Sequence, residues 1–140
     1  MTLRSALLHP LAKPLVFVLC LLPLAWLVWG AATDQLGANP AEALIRGLGD
    51  WTLRFLCLAL AVTPLRLHTR TPQLARYRRM LGLFVFFYAC LHLLAYGWLD
   101  MGLQVADIGR DILKRPFILV GFACWLLLLP LALTSTNRAV

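Results

Sequence analysis

Residues 78–100 read RRMLGLFVFFYACLHLLAYGWLD, and within them Met80 to Leu99 form twenty residues without Asp, Glu, Lys or Arg. A hydrocarbon core about 30 Å thick is crossed by roughly 20 apolar residues in a helix, so the stretch predicts a membrane-spanning helix. It contains His92, the one histidine inside an apolar run. An ionisable side chain in the hydrocarbon layer is costly and by default marks a functional site with a partner. Imidazole is also a standard axial ligand of haem iron. A histidine hydrogen-bonded to a neighbouring helix for packing alone explains the residue equally well, and taken singly His92 leaves the two accounts balanced.

Working outward, three more runs are long enough to span: Pro14–Ala32, Leu48–Leu65 and Pro116–Thr134. Hydrophobic residues make up 61% of the chain and charged residues 14%, against about 45–50% and about 25% in a typical globular protein. Lipid offers the backbone no hydrogen-bond partners, so the spans must be helices. The expected fold is an all-α membrane protein, a bundle of four transmembrane helices forming one domain over residues 1–140. Pro116 suits a helix first turn, whereas Pro23 and Pro130 fall inside spans and are expected to kink them. The first run is longer than a signal-peptide core and further spans follow it, so it reads as a true helix. Cys20, Cys57, Cys90 and Cys124 fall in separate apolar runs without metal-ligand spacing, as expected of small core hydrophobes.

Charge sets the expected orientation. The segment before the first span carries Arg4 and Lys13, and the first loop is net −2. The second loop is +5 through Arg66, Arg70, Arg76, Arg78 and Arg79, and the third is neutral. Positive loops face the cytoplasm, which predicts a bacterial inner-membrane protein with both termini and the arginine-rich loop inside. The net charge of +7 is thus a topogenic signal attracted to the lipid surface, and no nucleic acid is implied. A sharper reading of the same arginines is a site for an anionic partner.

On the third span Tyr88, His92 and Tyr96 recur at four-residue intervals, and Phe84 extends the row by a turn. Such spacing puts all four on one helix face, expected to point into the bundle, with Tyr88 and Tyr96 as candidate haem contacts. Gly82 and Ala89 are expected to let another helix approach closely. Arg54 reads as lying about a turn inside the outer end of the second span. There it is a candidate partner for a haem propionate, because guanidinium suits bidentate carboxylate recognition; snorkelling to the headgroups is the alternative. His9 and His68 lie outside the spans on the cytoplasmic side, with no ligand role expected.

The segments NPAEALIRGLGDWTLRFLCLALAVTPLR (39–66), RRMLGLFVFFYACLHLLAYGWLD (78–100) and DILKRPFILVGFACWLLLLPLALTST (111–136) resemble the haem-binding membrane subunit family of the bacterial periplasmic methionine-sulfoxide reductase system (the MsrQ, formerly YedZ, family). That family lies within the wider group of ferric-reductase-like transmembrane domains. The resemblance runs from about Asn39 to Thr136, and TPLR, RRMLG and KRPF are its most telling pieces. It implies an inner-membrane cytochrome b, with FMN as a further family cofactor. Electrons would be drawn from a cytoplasmic or quinone donor and passed to a periplasmic molybdopterin subunit that reduces methionine sulfoxide in oxidised envelope proteins. His92 matches the family's haem-ligand histidine on the third helix.

The family continues past TSTN with two more helices bearing further haem-ligating histidines, so a 140-residue chain is expected to be truncated. Ligation by two histidines of this chain is then not expected, and a sixth ligand would come from another chain or solvent. On this reading the chain is an electron-transfer subunit and not the catalytic one. The alternatives are a non-redox membrane anchor or assembly subunit, or a truncated product that does not bind haem.

Overall fold

The computed structural model describes residues 9–135; Arg4 of the charge count lies outside them. Five helices follow in order: α1 (Ala12–Ala32), α2 (Pro40–Thr69), α3 (Ala75–Ala95), α4 (Val105–Lys114) and α5 (Pro116–Thr134). A 3₁₀ turn at Pro72–Leu74 precedes α3, and a π turn at Tyr96–Asp100 prolongs it. No strand occurs among the described residues. Four of the helices, α4 excepted, are long and apolar enough to cross a membrane. The chain is a multi-pass membrane protein built of helices, as the apolar runs predicted.

The antiparallel pair α2 and α3 forms the centre, with α1 laid across both and α5 against α3. Phe55 of α2 stands 5.0 Å from the Tyr88 ring and 6.1 Å from that of Phe84, and Phe17 of α1 closes on Phe84 at 5.1 Å. Around these rings Leu27, Leu48, Val62, Leu81 and Val85 are buried. On α5, Trp125 stacks near Phe86 of α3 and donates its indole N–H to Cys90 Sγ at 3.3 Å. Even so, Trp26, Leu60, Phe117, Leu127 and Leu133 are each more than 60% exposed. So much open apolar surface on every span is tolerable only with lipid as the surrounding medium.

Three expected boundaries move. The second helix starts at Pro40, not Leu48, because Asn39 caps it. The Asn39 side-chain oxygen accepts from the Glu42 N–H at 3.2 Å, and its amide reaches the Glu42 carboxylate at 3.3 Å. With Pro40 in the first turn this is an asparagine N-cap reinforced by a side-chain hydrogen bond to Glu42. The helix also runs through Pro64 and ends only at Arg70, whose φ of 52° is left-handed. The third helix starts at Ala75, so Arg76, Arg78 and Arg79 project from its first turns.

The third loop holds an element that was not expected. Gly102 and Leu103, both at positive φ, turn the chain into α4. Asp107, Arg110, Asp111 and Lys114 line one side of this helix, and Val105, Ile108, Ile112 and Leu113 the other. The inner edge meets the bundle: Ile108 lies over Gly97, and Asp111 accepts from the Tyr96 hydroxyl at 2.6 Å and pairs with Arg115 at 2.9 Å. Val105 and Leu113 stay 81% and 76% exposed. A short helix with a strong apolar side and a charged side suits the membrane–water interface, not its interior.

Candidate functional site

The row predicted on α3 does face the bundle. Phe84 and Tyr88 are buried, while His92 and Tyr96 are half-buried. Its three polar members each bind a different element. Tyr88 reaches α1, where its hydroxyl donates to the Cys20 carbonyl at 2.8 Å and accepts from the Leu24 N–H at 3.1 Å. An ideal helix pairs those two backbone groups directly. Pro23, between them, has no N–H to give to the ladder, and the hydroxyl meets both groups beside it. Both hydrogen-bonding functions of Tyr88 are therefore committed to α1. Tyr96, one turn past His92, is committed to α4 through Asp111.

His92 reaches α2. Its Nδ1 lies 2.8 Å from the carbonyl oxygen of Ile45. A carbonyl only accepts, so Nδ1 carries the proton, and in the neutral ring Nε2 keeps its lone pair. Gly49 makes the approach possible: a Cβ built there would stand 3.1 Å from Cε1 and 3.3 Å from Nδ1 of the ring. The imidazole thus lies in a notch on α2, fixed in one tautomer by a backbone acceptor. Metal-bound histidines are held in this way, the second nitrogen donating to a carbonyl or carboxylate so that the first is oriented and made more basic.

Residues 47–140, which include the notch glycine and the whole of α3, match the family described as ferric reductase like transmembrane component. The chain belongs to the ferric-reductase-like transmembrane family. It is also similar to proteins named protein-methionine-sulfoxide reductase heme-binding subunit MsrQ. The one from Polaromonas naphthalenivorans is 70% identical over 134 residues, covering 96% of this chain and 61% of the relative. That from Herminiimonas arsenicoxydans is 53% identical, covering 93% and 60%, and that from Azospira oryzae 56% identical, covering 91% and 55%. The chain therefore spans about three fifths of the length of the curated relatives it matches. No solved structure matches it.

For a ferric-reductase-like chain the fit to haem is tested at His92. A half-buried imidazole with Nδ1 on a carbonyl and Nε2 unprotonated could supply one nitrogen ligand to haem iron. His9 and His68 offer no second: both are exposed and stand at the other end of the bundle, His9 just ahead of α1 and His68 in the last turn of α2. His9 Nδ1 accepts locally from the Leu11 N–H at 3.3 Å. No group of three or more His, Cys, Asp or Glu side chains converges among the described residues.

Arg54 departs from its expected depth. Because α2 begins at Pro40, Arg54 stands about 21 Å along it, and about 7.5 Å beyond the Gly49 notch toward the arginine-rich end. The side chain is exposed, and its guanidinium lies over the Trp51 ring at 4.7 Å. Gly82 departs too: nothing lies within 4 Å of a Cβ built there, so it faces open space instead of a closely packed helix. The carbonyl of Ile45 and the notch at Gly49 were not legible in advance, since a backbone acceptor leaves no mark in the side-chain pattern. Glycine at 47 and 49, on a helix that otherwise lacks it, was the available signal.

Proposed function

We propose that the chain is the membrane electron-transfer part of a methionine-sulfoxide reductase system, in which His92 would hold haem b. The observation that carries this reading is the 2.8 Å contact between His92 Nδ1 and the Ile45 carbonyl, which leaves Nε2 as the ligand nitrogen on a helix buried in lipid. Bound there, haem supplies one-electron exchange between ferric and ferrous iron. The protein's own share is orientation and medium. Ile45 fixes the ring tautomer, Gly49 admits the ring, and the apolar surroundings disfavour net charge and so tune the potential. Electrons would enter from a cytoplasmic or quinone donor and leave to a periplasmic catalytic subunit; the relatives' names support only a heme-binding subunit of such a reductase system. FMN enters by resemblance alone, with no residue of the chain assigned to it. Purified protein tests the reading: a Soret band that shifts on dithionite reduction is expected, and a colourless, folded preparation of haem-supplemented cells would reject it.

Arg54 is offered as the propionate partner, its exposed guanidinium, which lies over the Trp51 ring at 4.7 Å, turning from that ring to a carboxylate. Arg54→Ala is expected to lower haem retention several-fold with the chain still inserted, and Arg54→Lys to restore it partly, lacking the planar fork. Equal haem content in all three proteins would leave only the Trp51 contact.

The orientation proposed for the bundle rests on the arginine-rich second loop. A reporter fused after Gln73 is expected to be active only in its cytoplasmic form, and reporters after Gly37 or Gln104 only in their periplasmic form. Activity of the opposite kind at either outer loop would overturn it.

A further inference from the structure

At the arginine-rich end, α2, α3 and α5 do not close on each other. A cleft of about 400 Å³ remains between them, within the size range of small-ligand sites. Each helix lines it with a stripe that changes character along its length. On α2, Val62 and Thr63 lead to Arg66; on α3, Phe86 and Gly82 lead to Arg79 and Arg78; α5 runs from Leu128 to Ser135. The floor toward mid-bilayer is apolar and the mouth carries three guanidinium groups. Among the described residues no carboxylate lines it, and the sequence holds no Asp or Glu anywhere from Trp51 to Leu99. Gly82 keeps the floor open, since a side chain built there would meet nothing within 4 Å.

We propose that this cleft binds one anionic phospholipid, its phosphate among Arg66, Arg78 and Arg79 and its acyl chain along Gly82 and Phe86. Guanidinium is the side chain best suited to phosphate. Topogenic arginines need only point at the membrane surface; here three of them ring one opening that continues into hydrocarbon. A phosphate on a soluble molecule shares the head chemistry but leaves the apolar half of the cleft without an occupant. A phospholipid fills both halves and is the commonest solute of the medium.

Native mass spectrometry of the detergent-solubilised full chain tests this, with phosphatidylglycerol and phosphatidylcholine of identical acyl chains as probes. One phosphatidylglycerol is expected to bind about tenfold or more tightly than phosphatidylcholine, as basic residues at a lipid surface allow. Arg66→Gln with Arg79→Gln is expected to abolish that preference. Arg70→Gln with Arg76→Gln removes the same charge outside the cleft and should leave most of it. Gly82→Leu fills the floor without altering charge and should also displace the lipid, while retained helicity by circular dichroism certifies the fold. Equal binding of the two lipids, or equal loss in both arginine pairs, would overturn the proposal. So would displacement of phosphatidylglycerol by millimolar inorganic phosphate, which would assign the cleft to a soluble anion. No arm depends on haem, so failure here and failure at His92 are separable.

Discussion

His92→Ala is expected to yield a membrane-inserted chain with no bound haem, while His9→Ala and His68→Ala keep the wild-type content. The side chain is the one imidazole within an apolar span among the described residues, and the other two histidines stand exposed at the far end of the bundle. Alanine also removes the hydrogen bond to Ile45, so loss of haem with loss of fold would be ambiguous. His92→Gln resolves this. Its amide still donates to the Ile45 carbonyl, but it offers iron no imidazole nitrogen. Retained helicity and thermal midpoint with haem absent would assign the residue to ligation. Haem retained by the glutamine variant would show that His92 only packs and that another group ligates the iron. Haem content per chain, measured as the pyridine haemochrome, provides the readout.

Substitution of Gly49 should come next in effect. A Cβ there already stands 3.1 Å from the His92 ring, so Gly49→Ala forces a shift of a few tenths of an ångström, and Gly49→Val forces the imidazole off the Ile45 carbonyl. Removing the group that orients a metal-bound histidine costs about 10–100-fold in affinity. Haem retention is expected to fall in the order glycine, alanine, valine, with the valine variant weakened by about that factor and still inserted. Undiminished retention in Gly49→Val would mean that the ring has no need of the notch, and the tautomer argument would fall with it.

The spans themselves were plain in the sequence because length and apolarity decide them. Their ends were less so. Residues 39–47 carry Glu42 and Arg46 and read as loop, although Asn39, Pro40 and Glu42 together spell a helix start. That one omission changed the place of Arg54 on its helix: counted from Leu48 it lay in the second turn, and counted from Pro40 it lies near the middle of α2. α4 was lost in the same way, because the balanced charges of Asp107, Arg110, Asp111 and Lys114 obscured the three- and four-residue spacing of Val105, Ile108 and Ile112. Periodicity put Tyr88, His92 and Tyr96 on one face correctly. It could not name their partners, which lie on three other elements and include backbone atoms. Gly82 misled for a related reason, since absence of a side chain permits a close approach and equally permits a void.

Tyr88 bears on how α1 stays in place. Leu and Val side chains slide past one another in lipid with little penalty, because apolar surface is satisfied by tails as well as by protein. A slip of one residue along α1 would carry the Cys20 carbonyl and Leu24 amide about 1.5 Å along the axis and about 100° around it, away from the hydroxyl that joins them. The phenol is a directional pin in an otherwise smooth joint. It selects a single rotation and depth for the first helix, and thereby keeps Trp26 and Trp29, both over 60% exposed, turned outward.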